Sequence, residues 1–184
     1  MHSEKPVDRY HLASISLHWL MLALFIGVYA SINLRELFDK GSAPRETLKT
    51  LHFMLGLLIF FLVWLRLALR TLYPAPPRRQ EIAGRLVHLM LYAIMIGMPL
   101  LGWLLLSAAS KPVPFLGLTL PALIGQNKEL AGQFKEVHEF VGTTGYFLIG
   151  IHAAAALFHH YILRDNTLRS MWPGPGGSIH ARHH

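Results

Sequence analysis

The sequence predicts an all-α integral membrane protein, a four-helix bundle, on three observations. Of 184 residues, 53% are hydrophobic and only 15% charged, with a positive mean hydropathy. That is too apolar for an ordinary soluble domain of this size. Four apolar stretches are each long enough to cross a hydrocarbon layer about 30 Å thick at about 1.5 Å per residue. Polar or Pro/Gly-bearing segments separate them. Neither an internal repeat nor a second domain is visible, so residues 1–172 read as one membrane domain.

The first span runs from about Leu12 to Leu34, after a polar entry carrying Lys5 and Arg9. Such an entry can imitate a signal peptide. Here the apolar run is too long, no Ala-x-Ala-like cleavage site follows, and His18-Trp19 lies inside it, so the helix reads as retained. Trp19 suits the membrane interface. A polar loop with Asp39, Lys40, Gly41 and Pro44 leads to a second span, about Thr47 to Leu72. Tyr73-Pro-Ala-Pro-Pro-Arg-Arg cannot continue a helix. The third span covers about Gly84 to Ser107, where Gly97, Pro99 and Gly102 predict a kink near the far end. Residues 108–134 form a long, partly apolar loop, which suggests an interfacial segment or a lid. The fourth span covers about 135–163, and the Pro/Gly-rich tail 173–184 reads as disordered.

With four spans, both termini and the second connection share a side. That side holds ten of the seventeen basic residues, which places both termini in the cytoplasm. The basic excess thus fits a membrane surface, and no nucleic-acid partner is expected. Cysteine is absent. Disulfides, thiolate metal sites, iron–sulfur ligation and covalent c-type haem are therefore excluded.

Histidine carries the chemistry. His138-Glu-Phe-Val-Gly-Thr-Thr-Gly-Tyr-Phe-Leu-Ile-Gly-Ile-His152 places two imidazoles fourteen residues apart. Fourteen steps of about 100° fall roughly 40° short of four turns, so both leave nearly one face, about 21 Å apart along the axis. Gly142, Gly145 and Gly150 on the same helix suit flat cofactors stacked along it, and Gly56, four residues after His52, would clear room beside one of them. By depth, His52 pairs with His138 near the outer side and His18 with His152 near the inner side. Each pair can supply both axial ligands of a non-covalent haem b, an arrangement suited to electron transfer.

Other readings stand beside this one. A lone histidine in a spanning helix can be a hydrogen-bonded core residue, but four at two matched depths argue for function. A zinc or proton transporter would also use buried histidines, although membrane zinc sites usually add carboxylates and the span interiors have none. His88, at the start of the third span, is a candidate fifth ligand. His180, His183 and His184 read as solvated tail.

Ser16-Leu-His-Trp19, Arg66-Leu-Ala-Leu-Arg70 running into Tyr73-Pro-Ala-Pro-Pro77, and Gly145-Tyr-Phe-Leu-Ile-Gly-Ile-His-Ala-Ala-Ala-Ala-Leu-Phe-His-His-Tyr161 with Arg164-Asp-Asn-Thr-Leu168 resemble the bacterial cytochrome b561 family. The resemblance covers about residue 9 to Pro173 and is most specific in the fourth helix. It implies a bundle with two haems b on His18, His52, His138 and His152, the set already reached from depth. It also implies a quinone site beside the inner haem and residence in the bacterial inner membrane.

Within the family, the chain is most similar to members that oxidise superoxide and reduce ubiquinone. The resemblance then implies superoxide oxidation at the outer face, where Lys49 and Lys135 are the cations nearest the outer histidines and would attract the anion. Solvated lysines balanced by six outer acids would look the same. His159, seven residues beyond His152 and about 10 Å further inward, would hydrogen-bond a quinone carbonyl and relay a proton. His88 either shares that work or hydrogen-bonds a propionate or headgroup. Arg78 and Arg79 face the same choice between haem propionates and anionic lipid. The implied partners are lipid, ubiquinone and superoxide, with no protein partner required. The alternative is a haem-bearing anchor subunit that passes electrons between a dehydrogenase or hydrogenase and quinone.

Overall fold

A computed structural model of the chain describes residues 9–74 and 82–172. Four helices account for most of it: α1 Leu12–Leu34, α2 Ala43–Leu72, α3 Ile82–Ala108 and α4 Lys128–Tyr161. All four are long and apolar enough to cross a membrane. Arg78, Arg79 and the tail 173–184 lie outside the described residues.

Local chemistry sets the helix ends. The His11 ring accepts the Ala13 N–H at the start of α1, and a 3-10 turn, Arg35–Leu37, closes that helix. Pro44 lies in the first turn of α2, where its missing N–H costs nothing. The helix therefore begins four residues before the apolar stretch does. α4 also starts early, because the Asn127 side chain accepts the N–H groups of Glu129 (3.0 Å) and Leu130 (3.1 Å). Its 34 residues exceed the length needed for about 30 Å of hydrocarbon. The polar turns from Lys128 to Lys135 are the surplus.

Helices α1 and α2 pack together, α3 packs on α4, and α2 packs on α3 between the two pairs. The main core joins Leu17, Met21 and Leu24 of α1 to Ile59 and Val63 of α2 and Met95 of α3. Large apolar side chains such as Phe61, Trp64, Phe140 and Phe147 stay exposed, as expected for surfaces that face lipid. α4 differs from the other helices: Gly145 is its one buried residue among those described. The Tyr29 hydroxyl sits where a Gly145 side chain would begin, and it donates to the Gly142 carbonyl at 2.9 Å. Asn33 reaches the Tyr146 hydroxyl at 2.6 Å. Small residues, interhelical hydrogen bonds and the Tyr29–Tyr146 ring contact, with centroids 4.1 Å apart, join α1 to α4.

The third connection is a docked hairpin. β1 Val113–Phe115 pairs antiparallel with β2 Leu118–Leu120. Leu116 and Gly117 both take positive φ, 50° and 83°, the primed two-residue turn that matches strand twist. Buried Val113 packs on Leu57 and Leu106, and the Phe115 ring lies 5.1 Å from that of Phe61. Ser107 Oγ accepts the Leu123 N–H at 3.1 Å, and Trp103 Nε1 donates to the Pro121 carbonyl at 2.9 Å.

At the opposite end, residues 162–172 fold back under α1. Tyr10 N–H donates to the Ser170 carbonyl (3.3 Å) and Trp19 Nε1 to the Met171 carbonyl (2.7 Å). The start of α1 and the end of α4 therefore share one end of the bundle, the end that the charge pattern predicts to be inner. The hairpin lies towards the other end, the one predicted to be outer.

Candidate functional site

The bundle brings the four intramembrane histidines into two pairs. His52 of α2 faces His138 of α4, with ring centroids 6.2 Å apart and planes inclined by 71°. His18 of α1 faces His152 of α4 at 6.4 Å and 75°. Among the described residues, no hydrogen bond joins either pair. Two imidazoles that bind opposite sides of one metal ion, each nitrogen about 2 Å away, have centroids roughly 6 Å apart. Both pairs meet that spacing. The histidine set therefore fits two bis-imidazole haem sites.

Surroundings support the fit at the outer pair. His52 Nδ1 donates to the Val28 carbonyl at 3.1 Å, which leaves Nε2 with its lone pair free. A metal-binding histidine is commonly oriented in this way. A side chain at Gly102 would begin 3.4 Å from the His138 ring, whereas Gly56 faces open space. A side chain at Gly142 would begin in ordinary contact with Met98, at 3.5 Å, whereas the room at Gly145 is taken by Tyr29. Gly145 serves helix packing.

The inner pair has further company. The His88 ring lies 5.2 Å from that of His152, and its Nδ1 donates to the Gly84 carbonyl one turn back at 2.6 Å. That separation is short for two rings on opposite sides of one metal, while the His18 ring is at a fitting distance. His88 is thus a third imidazole beside the pair. Arg66 of α2 lies near enough for its charge to act on both His18 and His152.

His159 lies one step further inward, at the end of α4. Its Nδ1 is 2.6 Å from Asp165 Oδ2. The contact exists because the chain reverses at Arg164, whose φ is 52°, so the Asp165 N–H donates back to the His159 carbonyl at 3.0 Å. Burial pushes the Asp165 carboxyl up, but hydrogen bonds from the Thr167 N–H and from His159 outweigh it and hold the group below the usual carboxylate range. A cleft of about 470 Å³ opens beside this dyad, lined by His160, Tyr161, Arg164, Asp165, Asn166 and Arg169. Asp165 was not singled out from the sequence. Its signal was present: an acid six residues after a histidine, just beyond a helix end.

The outer lysines are less available than their positions suggest. Lys49 Nζ is 2.6 Å from Glu46 Oε2, and Lys135 lies 3.5 Å from Glu139. Lys111, three residues beyond the end of α3, also acts on Glu46. It has no ion pair among the described residues.

Comparison with known proteins gives the family. The family profile for prokaryotic cytochrome b561 matches residues 9–174. Cytochrome b561 homolog 1 of Escherichia coli (strain K12) is 38% identical over 173 residues, covering 91% of this chain and 98% of that protein. A Yersinia pestis protein named probable superoxide oxidase CybB is 35% identical over 178 residues, 92% of this chain and 98% of its own. Cytochrome b561 homolog 2 of E. coli (strain K12) is 25% identical over 171 residues. The family is one of membrane electron-transfer proteins for which b-type haem is expected. With its four apolar helices and inward-facing histidines, this chain belongs to the prokaryotic cytochrome b561 family.

Proposed function

We propose that the chain is a superoxide:ubiquinone oxidoreductase holding two haems b, with residues 1–172 as its membrane domain. The outer haem would be held by His52 and His138, the inner by His18 and His152. The observation that carries this is the repeated ring separation, 6.2 and 6.4 Å, at two depths of one helix. The kinship with a protein named probable superoxide oxidase supports the electron donor.

When bound, the haem irons supply one-electron redox chemistry across the bilayer. The chain supplies everything else. Two superoxide anions lose one electron each at the outer face and leave as dioxygen. Ubiquinone takes those two electrons and two protons at the inner face and becomes quinol. Outer cations draw the anion, with Lys111 joining Lys49 and Lys135. At the inner face, Asp165 fixes the His159 ring through Nδ1, and Nε2 would meet a quinone carbonyl. This dyad can hand a proton from the cytoplasmic side to the quinone oxygen. His88, outside the haem pair, is placed to assist. Both termini lie in the cytoplasm of a bacterial inner membrane, and no protein partner is needed.

Stopped-flow mixing of the purified protein with superoxide tests this. Fast haem reduction, followed by reoxidation on adding ubiquinone, is the expected result. Haem that superoxide reduces slowly but quinol or a partner protein reduces readily would assign the chain to the anchor class. Absence of haem would remove both readings.

A further inference from the structure

The inner site contains a cation that the histidine set does not explain. Arg66 lies six residues before the end of α2, inside a candidate span. Arginine is rare at such depth because a guanidinium is expensive to desolvate, and long side chains near helix ends usually reach out to the interface. Arg70, one turn nearer that interface, is exposed as expected. Arg66 is only partly exposed, and its Nη1 is buried with no hydrogen-bond partner among the described residues.

A protein carboxylate is hard to find for it. From Thr50 to Asn127 the sequence holds a single acid, Glu81, which lies outside the described residues. The described groups on which the Arg66 charge acts are His18 and His152. A neutral imidazole gives a guanidinium little, and a protonated one repels it. At the outer pair the situation is reversed: Arg35, whose charge reaches His52, is neutralised by Glu36 at 3.0 Å. Among the described residues, the inner end therefore has a cation without a carboxylate partner where the outer end has a satisfied one.

A part-buried guanidinium whose Nη1 is sealed from water without a partner among the described residues is a costly arrangement. The missing partner should be an anion that arrives with the bound group between His18 and His152. Haem b carries two propionate carboxylates, and the planar guanidinium fork matches a carboxylate in two-point contact. We propose that Arg66 is a positioning residue that pairs with a propionate of the inner haem, retaining that haem and raising its reduction potential. This rests on the two-haem reading. The sign follows from Coulomb's law: a nearby positive charge favours the electron-richer form. Arg66 thereby makes the inner site the better electron sink and biases transfer from the outer face inward.

The test is haem content and potentiometric titration of the purified wild type, Arg66→Met and Arg66→Lys. His52→Ala, which removes the outer haem, identifies each signal. Arg66→Met is expected to keep the outer haem at its wild-type potential, an internal check of folding. Its inner haem should titrate at lower potential or be at least partly lost. Arg66→Lys should retain the inner haem at a potential close to the wild type. Two haems at unchanged potentials in Arg66→Met would overturn the proposal. So would unchanged potentials with a raised KM for ubiquinone, which would assign the guanidinium to the quinone. A wild type without two haems would instead remove the two-haem reading, and this proposal with it.

Discussion

His159 Nδ1 and Asp165 Oδ2 stand 2.6 Å apart across the end of α4, held there by the left-handed backbone of Arg164. A carboxylate on one imidazole nitrogen fixes the ring and makes the other nitrogen a better base. Asp165→Asn keeps the shape but removes that charge. The expected result is a fall in ubiquinone reduction of roughly tenfold or more, in line with general acid–base contributions of about 10²–10⁴. Haem content and the rate of haem reduction by superoxide should stay at wild-type values. Equal loss at both ends would instead indicate general damage.

The same pair gives a pH dependence with a defined sign. The Asp165 carboxyl is held below its usual range in the folded protein. Its contribution to stability is therefore fully present above the ordinary carboxylate pKa and is lost as pH falls through the lowered, folded value. The difference in detergent thermal stability between wild type and Asp165→Asn should be present throughout the range above the ordinary carboxylate pKa. It should shrink only in acid, below the ordinary carboxylate range. A difference that grew towards acid would contradict the assigned direction.

Ligand assignment can be tested histidine by histidine. His52→Ala or His138→Ala should halve the haem-to-protein ratio by emptying the outer site. His18→Ala or His152→Ala should halve it by emptying the inner one. His88→Ala should leave the ratio unchanged, because its ring lies closer to His152 than two rings sharing one iron should lie. Haem quantified against protein for all five variants decides the matter. Loss of haem in His88→Ala would move the inner ligand from α1 to α3.

How far the sequence could be read depended on whether a relationship stayed within one helix. The fourteen-residue spacing of His138 and His152 is fixed by helix geometry, so it was legible, and depth alone then suggested their partners on α1 and α2. The Lys49–Glu46 and Lys135–Glu139 pairs are i,i+3 and i,i+4 neighbours, a spacing that helix geometry makes legible, although the sequence reading set the outer acids against the lysines only as a group. The His159–Asp165 contact was not legible, since it depends on a positive φ at an arginine, a conformation that sequence seldom announces. The hairpin at 113–120 was hidden for a related reason: Leu116-Gly117 is not one of the Asn-Gly or Asp-Gly pairs that mark a primed turn. The short apolar strands around it resembled any interfacial loop.

Tyr29 and Gly145 set the spacing between α1 and α4. A methyl group at Gly145 would collide with the Tyr29 hydroxyl, which is itself bonded to the Gly142 carbonyl. Gly145→Ala should destabilise the protein by about 1–3 kcal/mol, the usual range for overpacking. Tyr29→Phe alone should cost roughly 0.6 kcal/mol, the average for an interhelical hydrogen bond in a membrane. In the double variant the colliding oxygen is gone, and the next Tyr29 atom lies 3.7 Å from the added carbon. The two changes should therefore cost less together than the sum of each alone. Unfolding followed by loss of haem absorbance measures all three; simple additivity would mean that the contact is not the source of the strain.

The outer charges give a prediction whose sign distinguishes steering from simple solvation. Lys49 is neutralised by Glu46, and Lys111 also faces that acid. If the local field draws superoxide in, Glu46→Gln should raise the second-order rate of haem reduction, because it leaves two cations without a counter-charge. Lys111→Gln should lower the same rate. Both effects should be severalfold at low ionic strength and fade as added salt shortens the screening length to about 8 Å near 0.15 M. Ubiquinone reduction at the inner face should be untouched by either change. Rates that ignore both substitutions and salt would show that the outer lysines are solvated charges, and that superoxide reaches the outer site without electrostatic guidance.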